Sequence, residues 1–132
     1  MAVSGNVGIY TPPKPEESVY SEERHPVVII PMSVKAAQGI LERGTIVGKD
    51  SNGLIVPYNP NATITLSDGT TAPAPEATPV GVLVERIDTD RETTGNVLVH
   101  GVVFRERLIR VDATVDVNDL DNLAKIGIWN IG

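Results

Sequence analysis

At 132 residues the chain is sized for a single domain with a modest core, and with 41% hydrophobic residues but only one Trp and one Phe that core must be aliphatic. The lack of cysteine excludes disulfides and thiolate metal centres. With 17 acidic against 11 basic residues the net charge is −6, and no Lys/Arg cluster supplies the basic stripe with which a nucleic-acid binder neutralises phosphates.

Residues 1–26 differ in composition from the rest. They carry Pro12, Pro13, Pro15 and Pro26 together with Glu16, Glu17, Glu22, Glu23 and Arg24. Such a stretch buries too little apolar surface to offset its ordering entropy, so a flexible arm is expected. Within it, Val7-Gly8-Ile9-Tyr10 forms a short apolar patch just before Pro12 and Pro13. From these residues alone the pattern suits a frayed terminus and a segment that orders on a partner equally well. The start, Met1-Ala2-Val3-Ser4-Gly5, has neither the basic residues nor the apolar stretch of a secretory signal. The longest apolar run, Val27 to Ile30, is far too short to span a bilayer. The expectation is a soluble protein with no membrane partner, working in the compartment where it is made.

From Val27 onward the pattern is that of a folded domain. Val27–Ile30 is β-branched throughout and reads as a strand. Ser33 is placed to cap a short helix in which Val34, Ala37 and Leu41 recur at helical spacing, with Gly44 as its stop. Thr45–Gly48 and Leu54–Val56 flank Asn52-Gly53, the strongest hairpin signal in the chain. Residues 59–79 are rich in Pro, Ala and Thr and read as a long surface connection, with a small hairpin from Thr63–Leu66 through Ser67-Asp68-Gly69. Strands are expected over Val80–Ile87, Asn96–Phe104 and Leu108–Val111. A second helix follows, capped by Asn118, with Asp119 and Asp121 in its first turn, where the helix dipole favours negative charge. Its apolar face is Leu120, Leu123 and Ala124; Gly127 ends it, and Ile128–Ile131 closes the chain as a strand.

Chemistry-bearing patterns are sparse. The two histidines are far apart in sequence: His25 lies in the arm beside Pro26, and His100 alternates with Leu98 and Val102 along a strand. No Gly-x-Ser-x-Gly elbow accompanies them, so no nucleophile–base pair is expected. Glu85, Asp88, Asp90 and Glu92 read as a solvated turn. Asp116-x-Asn118-Asp119-x-Asp121 lacks the Gly and Glu that a calcium loop needs at its sixth and twelfth positions, and a helix cap accounts for the same residues. Gly44, Gly48 and Gly53 mark turns, since no Lys-Ser/Thr follows them to make a phosphate loop. No catalytic residue, cofactor or small-molecule substrate is expected.

Taken in order, several blocks resemble the lambda-type head decoration proteins of tailed bacteriophages. Leu41-x-Arg43-Gly44-Thr45-Ile46-Val47-Gly48-Lys49, with Gly53 and Pro57-Tyr58, is similar to the opening of their folded part. Pro79-Val80-Gly81-Val82-Leu83 and Val99-His100-Gly101-Val102-Val103 resemble their next strands, and Leu123-x-x-Ile126-Gly127-Ile128 their ending. The resemblance implies a mainly β domain over residues 27–132, a compact β-clip-like small barrel with two short helices, preceded by the arm at 1–26. It also implies a non-enzymatic cementing protein, made in the host cytoplasm, that binds the outer surface of the expanded capsid as a homotrimer. The arm would then pair with the major capsid protein through Val7, Gly8, Ile9 and Tyr10, with Pro12 and Pro13 marking where pairing ends. The chain departs from the family in the acidity of the arm around Glu16–Glu23 and in the length of the 59–79 connection. A different class, a small β-barrel carrier or ligand-binding domain, is suggested only by Lys49 beside the Asn52-Gly53 hairpin.

Overall fold

In the computed structural model, which describes residues 18–22 and 25–132, the strands are β1 (Tyr20–Ser21), β2 (Val28–Ser33), β3 (Ile40–Leu41), β4 (Ile46–Lys49), β5 (Ile55–Pro57), β6 (Thr63–Thr65), β7 (Thr71–Pro73), β8 (Gly81–Leu83), β9 (Ile87–Asp88), β10 (Thr94–Phe104) and β11 (Ile128–Ile131). One α-helix, α1 (Val117–Lys125), lies between β10 and β11, and short 3-10 turns occupy Pro75–Ala77 and Arg105–Arg107. The domain is mainly β, as expected.

The organising element is β10. The main sheet runs β1-β10-β8-β4-β5, and β2 and β11 also pair with β10. Successive residues of a strand point to opposite faces. In the middle of this sheet both faces are covered: Ile46 and Val47 on β4, Val82 and Leu83 on β8, and Val97 and Leu98 on β10 are all fully buried. Continuous apolar runs therefore replace the alternation of a one-sided sheet. One face packs Ile46, Val82 and Leu98 with Val19, Tyr20, Leu120, Leu123 and Ile128. The other packs Val47, Leu83 and Val97 with Val34, Leu41, Ile55 and Ile87. Glycine keeps the sheet tight: a Cβ on Gly81 would lie 2.5 Å from the Leu98 carbonyl oxygen.

The expected small barrel is not closed. The sheet curls until Val34, just past β2, bridges Ile55 on β5, and the Lys35 N–H donates to the Ile55 carbonyl over 3.1 Å. Among the described residues, backbone pairing of the two ends is confined to this point. The two hairpins read from turn residues are present, β4–β5 and β6–β7. At the first, the Asp50 side chain accepts from the Asn52 and Leu54 N–H groups at 2.9 and 3.0 Å.

The first expected helix is absent. Over 34–41 the chain leaves β2, turns through bends and enters β3, and of Val34, Ala37 and Leu41 only the first and last are buried. Hydrogen bonds from Gln38 and from the distant Thr89 override its helical spacing. The Gln38 amide donates to the carbonyls of Lys35 (2.7 Å) and Ile55 (3.2 Å), while the buried Thr89 hydroxyl donates to the Gly39 carbonyl (2.6 Å) and accepts from the Gln38 N–H (2.8 Å). This turn places Ala37 at φ 61°, a left-handed conformation that costs a residue with a Cβ about 1–2 kcal/mol. Ala37→Gly removes that strain at a smaller entropic cost. It is expected to raise stability by about 0.5–1 kcal/mol, read as a higher urea midpoint at unchanged slope.

Helix α1 forms as expected but is capped by Asp116, two residues before Asn118. The cap is reciprocal: Asp116 Oδ1 accepts from the Asp119 N–H at 3.0 Å, and Asp119 Oδ2 accepts from the Asp116 N–H at 2.9 Å. Asp119 is 1% exposed, and its carboxylate also accepts from the Arg110 guanidinium (3.1 Å) and the Tyr58 hydroxyl (3.0 Å). Arg110 is itself buried and donates on its other side to Asp112, at 2.9 and 3.2 Å. Burial, with the Asp119 carboxylate adding to it and the Asn122 contact opposing, raises the Tyr58 phenol above its ordinary pKa. The demand for a buried carboxylate opposite Arg110 thus fixes where the helix begins.

The folded unit starts earlier than Val27. Ser18, Val19 and Tyr20, assigned by composition to the arm, are buried, and β1 pairs antiparallel with β10 in the register Tyr20↔Val103 and Ser21↔Val102. Tyr20 and Val19 supply the apolar surface that the surrounding prolines and charges obscure.

Candidate functional site

The residues proposed from sequence to touch a partner, Val7, Gly8, Ile9, Tyr10, Pro12 and Pro13, lie outside the described residues. What the structure does define is the platform to which this segment is joined. Its first described residues are clamped: the Phe104 N–H donates to the Val19 carbonyl at 2.8 Å, and the Ser18 hydroxyl exchanges hydrogen bonds with the backbone of Tyr20 at 3.0 and 3.2 Å. Arg107 donates to the Ser18 carbonyl while its guanidinium sits 4.6 Å above the Phe104 ring. The chain then continues down β10, with Val28↔His100 the first pair of β2 and Thr94↔Ser33 the last. Pro31 is tolerated within β2 because β10 is that strand's only strand partner among the described residues.

The C-terminal strand meets the same end of β10. β11 runs parallel to it, pairing Val102 with Trp129 and Phe104 with Ile131. Opposed residues share a face. Val103 and Ile128 turn inward and are fully buried, so Val102, Phe104, Trp129 and Ile131 line the outward face, with Trp129 43% and Ile131 38% exposed. An apolar outer patch therefore adjoins the root of the N-terminal segment. Beside it, a shallow hollow of about 300 Å³ is lined by Arg105, Glu106, Leu108, Thr114, Val115 and Gly132.

On this face the fold brings the two histidines together. His25 Nε2 and His100 Nε2 are 2.6 Å apart, and the edge of Trp129 meets both rings at 5.3 Å between centroids. Sequence reading placed His25 in the arm and His100 on a strand without linking them. The signal that could have linked them is the antiparallel pairing of both β1 and β2 with β10, which needs the buried Val19-Tyr20 pair to be recognised.

The other chemistry-bearing candidates are accounted for locally. Glu85 accepts from the Asn96 amide at 3.0 Å, and Asp88 accepts from the Asp90 N–H at 3.1 Å and pairs with Arg91 at 3.8 Å. Among the described residues no three His, Cys, Asp or Glu side chains are grouped to hold a metal ion. Lys49 ends β4 opposite Ile55 and lies outside the hairpin tip, where a carrier lysine would be presented. No described helix is long and apolar enough to cross a membrane.

Two comparisons bear on what this arrangement serves. The family model described as Bacteriophage lambda head decoration protein D matches residues 8–128. No curated protein matches the chain.

Proposed function

Since the chain belongs to the Bacteriophage lambda head decoration protein D family, and is by that membership a structural component of a phage head, we propose that it cements the expanded capsid from the outside as a homotrimer, without catalysis. In this reading the protein is made in the host cytoplasm and joins the head there. The segment before Ser18 lies against the major capsid protein, and Val7, Gly8, Ile9 and Tyr10 add a strand to an exposed sheet edge of it. Pro12 and Pro13 end that pairing because they have no N–H to donate.

The observation that carries this reading is the anchoring at Ser18–Ser21. A bridging segment transmits load only if its root is fixed, and here the root is hydrogen-bonded to β10, bound by Arg107 and buried at Val19 and Tyr20. The outer apolar patch of Val102, Phe104, Trp129 and Ile131 borders that root, so the same face would be turned toward the capsid. Single-segment pairing is weak. Roughly five backbone hydrogen bonds at about 0.5–1.5 kcal/mol each do no more than offset the ordering of the residues that make them. Side-chain burial and three linked segments supply the difference.

The test is a reconstruction of expanded, undecorated capsids incubated with the protein. Density at three-fold and quasi-three-fold positions, with a strand running from it onto the capsid protein, is the expected result. Density of two-fold symmetry, or protein bound only as isolated monomers, would remove the homotrimer from the proposal.

A further inference from the structure

We propose that His25 and His100 form a binding site for a single transition-metal ion of the imidazole-preferring class, Zn²⁺, Ni²⁺ or Cu²⁺. The chain has only two histidines, and the fold brings them together across 75 positions of sequence, nitrogen to nitrogen, with Nε2 to Nε2 at 2.6 Å. Neutral imidazole protonated at Nδ1 presents a lone pair at that atom, and imidazole is the commonest protein ligand for these ions. The rings are tilted by 58° with centroids 4.6 Å apart, so they meet through these nitrogens instead of stacking.

Several backbone features build this convergence. The register of β2 on β10 shifts between Leu98 and His100, and such a bulge re-aims the side chain that follows it. Pro26 holds His25 away from helical backbone. Gly127, at φ 89°, leaves the space that the His100 ring occupies: a Cβ there would stand 2.6 Å from His100 Nδ1. Gly101 does the same for Val27, beside His25, with a Cβ-to-Cγ1 approach of 2.7 Å.

Two nitrogens bound tetrahedrally to one ion at about 2.0–2.1 Å are about 3.3 Å apart, so loading requires the rings to open by less than about 1 Å. Both imidazoles are half-buried, and His25 sits in the irregular chain between β1 and β2, where such a shift displaces no strand. With no third protein ligand grouped here among the described residues, water completes the coordination. The site is therefore reversible, unlike a closed four-ligand structural centre. Its consequence is mechanical: a bound ion ties the chain that leads into β2 to the strand that carries the C-terminal β11.

Trp129, the one tryptophan of the chain, touches both rings and reports directly on the site. The experiment is titration of the full-length protein with Cu²⁺ while Trp129 fluorescence is followed, then removal of the ion by EDTA, on wild type, His25→Gln and His100→Gln. The expected result is saturable quenching at one ion per chain, reversed by EDTA, with affinity at least tenfold lower in each variant. In parallel, Zn²⁺ should raise the melting temperature of wild type and leave both variants unchanged, because an ion that binds only the folded form stabilises it. His25→Gln guards against misfolding, since it alters no strand. Quenching that does not saturate, or that saturates equally in His25→Gln, overturns the proposal and leaves the pair as a contact sharing one proton.

Discussion

Asp119→Ala is expected to destabilise the domain by about 3–5 kcal/mol, the range for removing one partner of a buried ion pair. Three donors lose an acceptor at once: the guanidinium of buried Arg110, the Tyr58 hydroxyl and the Asp116 N–H, the last being one half of the cap that begins the helix. Arg110 keeps Asp112, but that carboxylate is 35% exposed and stands on the other side of the guanidinium. Asp119→Asn retains the shape and one acceptor oxygen while deleting the charge and turning the other oxygen into a donor, and should fall between wild type and the alanine variant. Asp112→Ala, at the solvent edge, should cost about 1 kcal/mol or less. Urea denaturation of the four proteins gives the order directly; an Asp119→Ala loss no larger than that of Asp112→Ala would mean that the network is screened by water. The pH dependence has a defined sign. The Arg110 hydrogen bond holds the Asp112 carboxyl below its ordinary range, with burial opposing. Its contribution is thus complete above the unfolded-state carboxylate range and is lost only as pH falls through the depressed value. The gap between wild type and Asp112→Asn should be equal at pH 7 and pH 5 and close only in stronger acid.

The second large effect concerns binding. The double substitution Ile9→Ser with Tyr10→Ser removes two apolar side chains from the segment proposed to pair with the capsid. At roughly 1.5–3 kcal/mol for each buried side chain, single-segment affinity should fall at least about a hundredfold, and linkage of three segments multiplies the loss. The folded domain should be indifferent. Its described core begins at Val19 and contains neither residue. Co-sedimentation with expanded capsids, run beside a melting curve, separates the outcomes. Unimpaired decoration would reject the pairing role of Ile9 and Tyr10, and a large fall in melting temperature would mean that they belong to the core.

Much of the fold was legible in the sequence because local chemistry fixed it. Asn52-Gly53 and Ser67-Asp68-Gly69 set their hairpins through turn geometry, and Gly127 ends α1 where a positive φ is needed. What could not be read depended on distant partners. The Val34–Leu41 spacing mimics a helix, but Gln38 and Thr89 hold that stretch as a turn through contacts some 50 residues apart. Asn118 looks like the cap until Arg110 draws Asp119 inward and moves the cap to Asp116. Proline and glutamate around Val19-Tyr20 concealed a buried strand. The histidine contact was illegible for the same reason, since it exists only once β1 and β2 have found β10.

That dependence on β10 also sets when the protein can fold. Among the described residues the first two strands and the last one share a single partner, Thr94–Phe104, which is synthesised after nearly three quarters of the chain. While the ribosome is making residues 20–93, β1 and β2 have nothing to pair with, so the root of the N-terminal segment stays unanchored until translation passes Phe104. Pairings this distant in sequence are slow to close, and the waiting strands are open to other chains in the interval. A nascent chain that terminates early therefore carries the capsid-directed segment without its anchor and, by the proposed mechanism, would occupy a binding position without bridging it. By that mechanism, completion of β10 would act as a check built into synthesis: only a chain extended past Phe104 could hold what it binds.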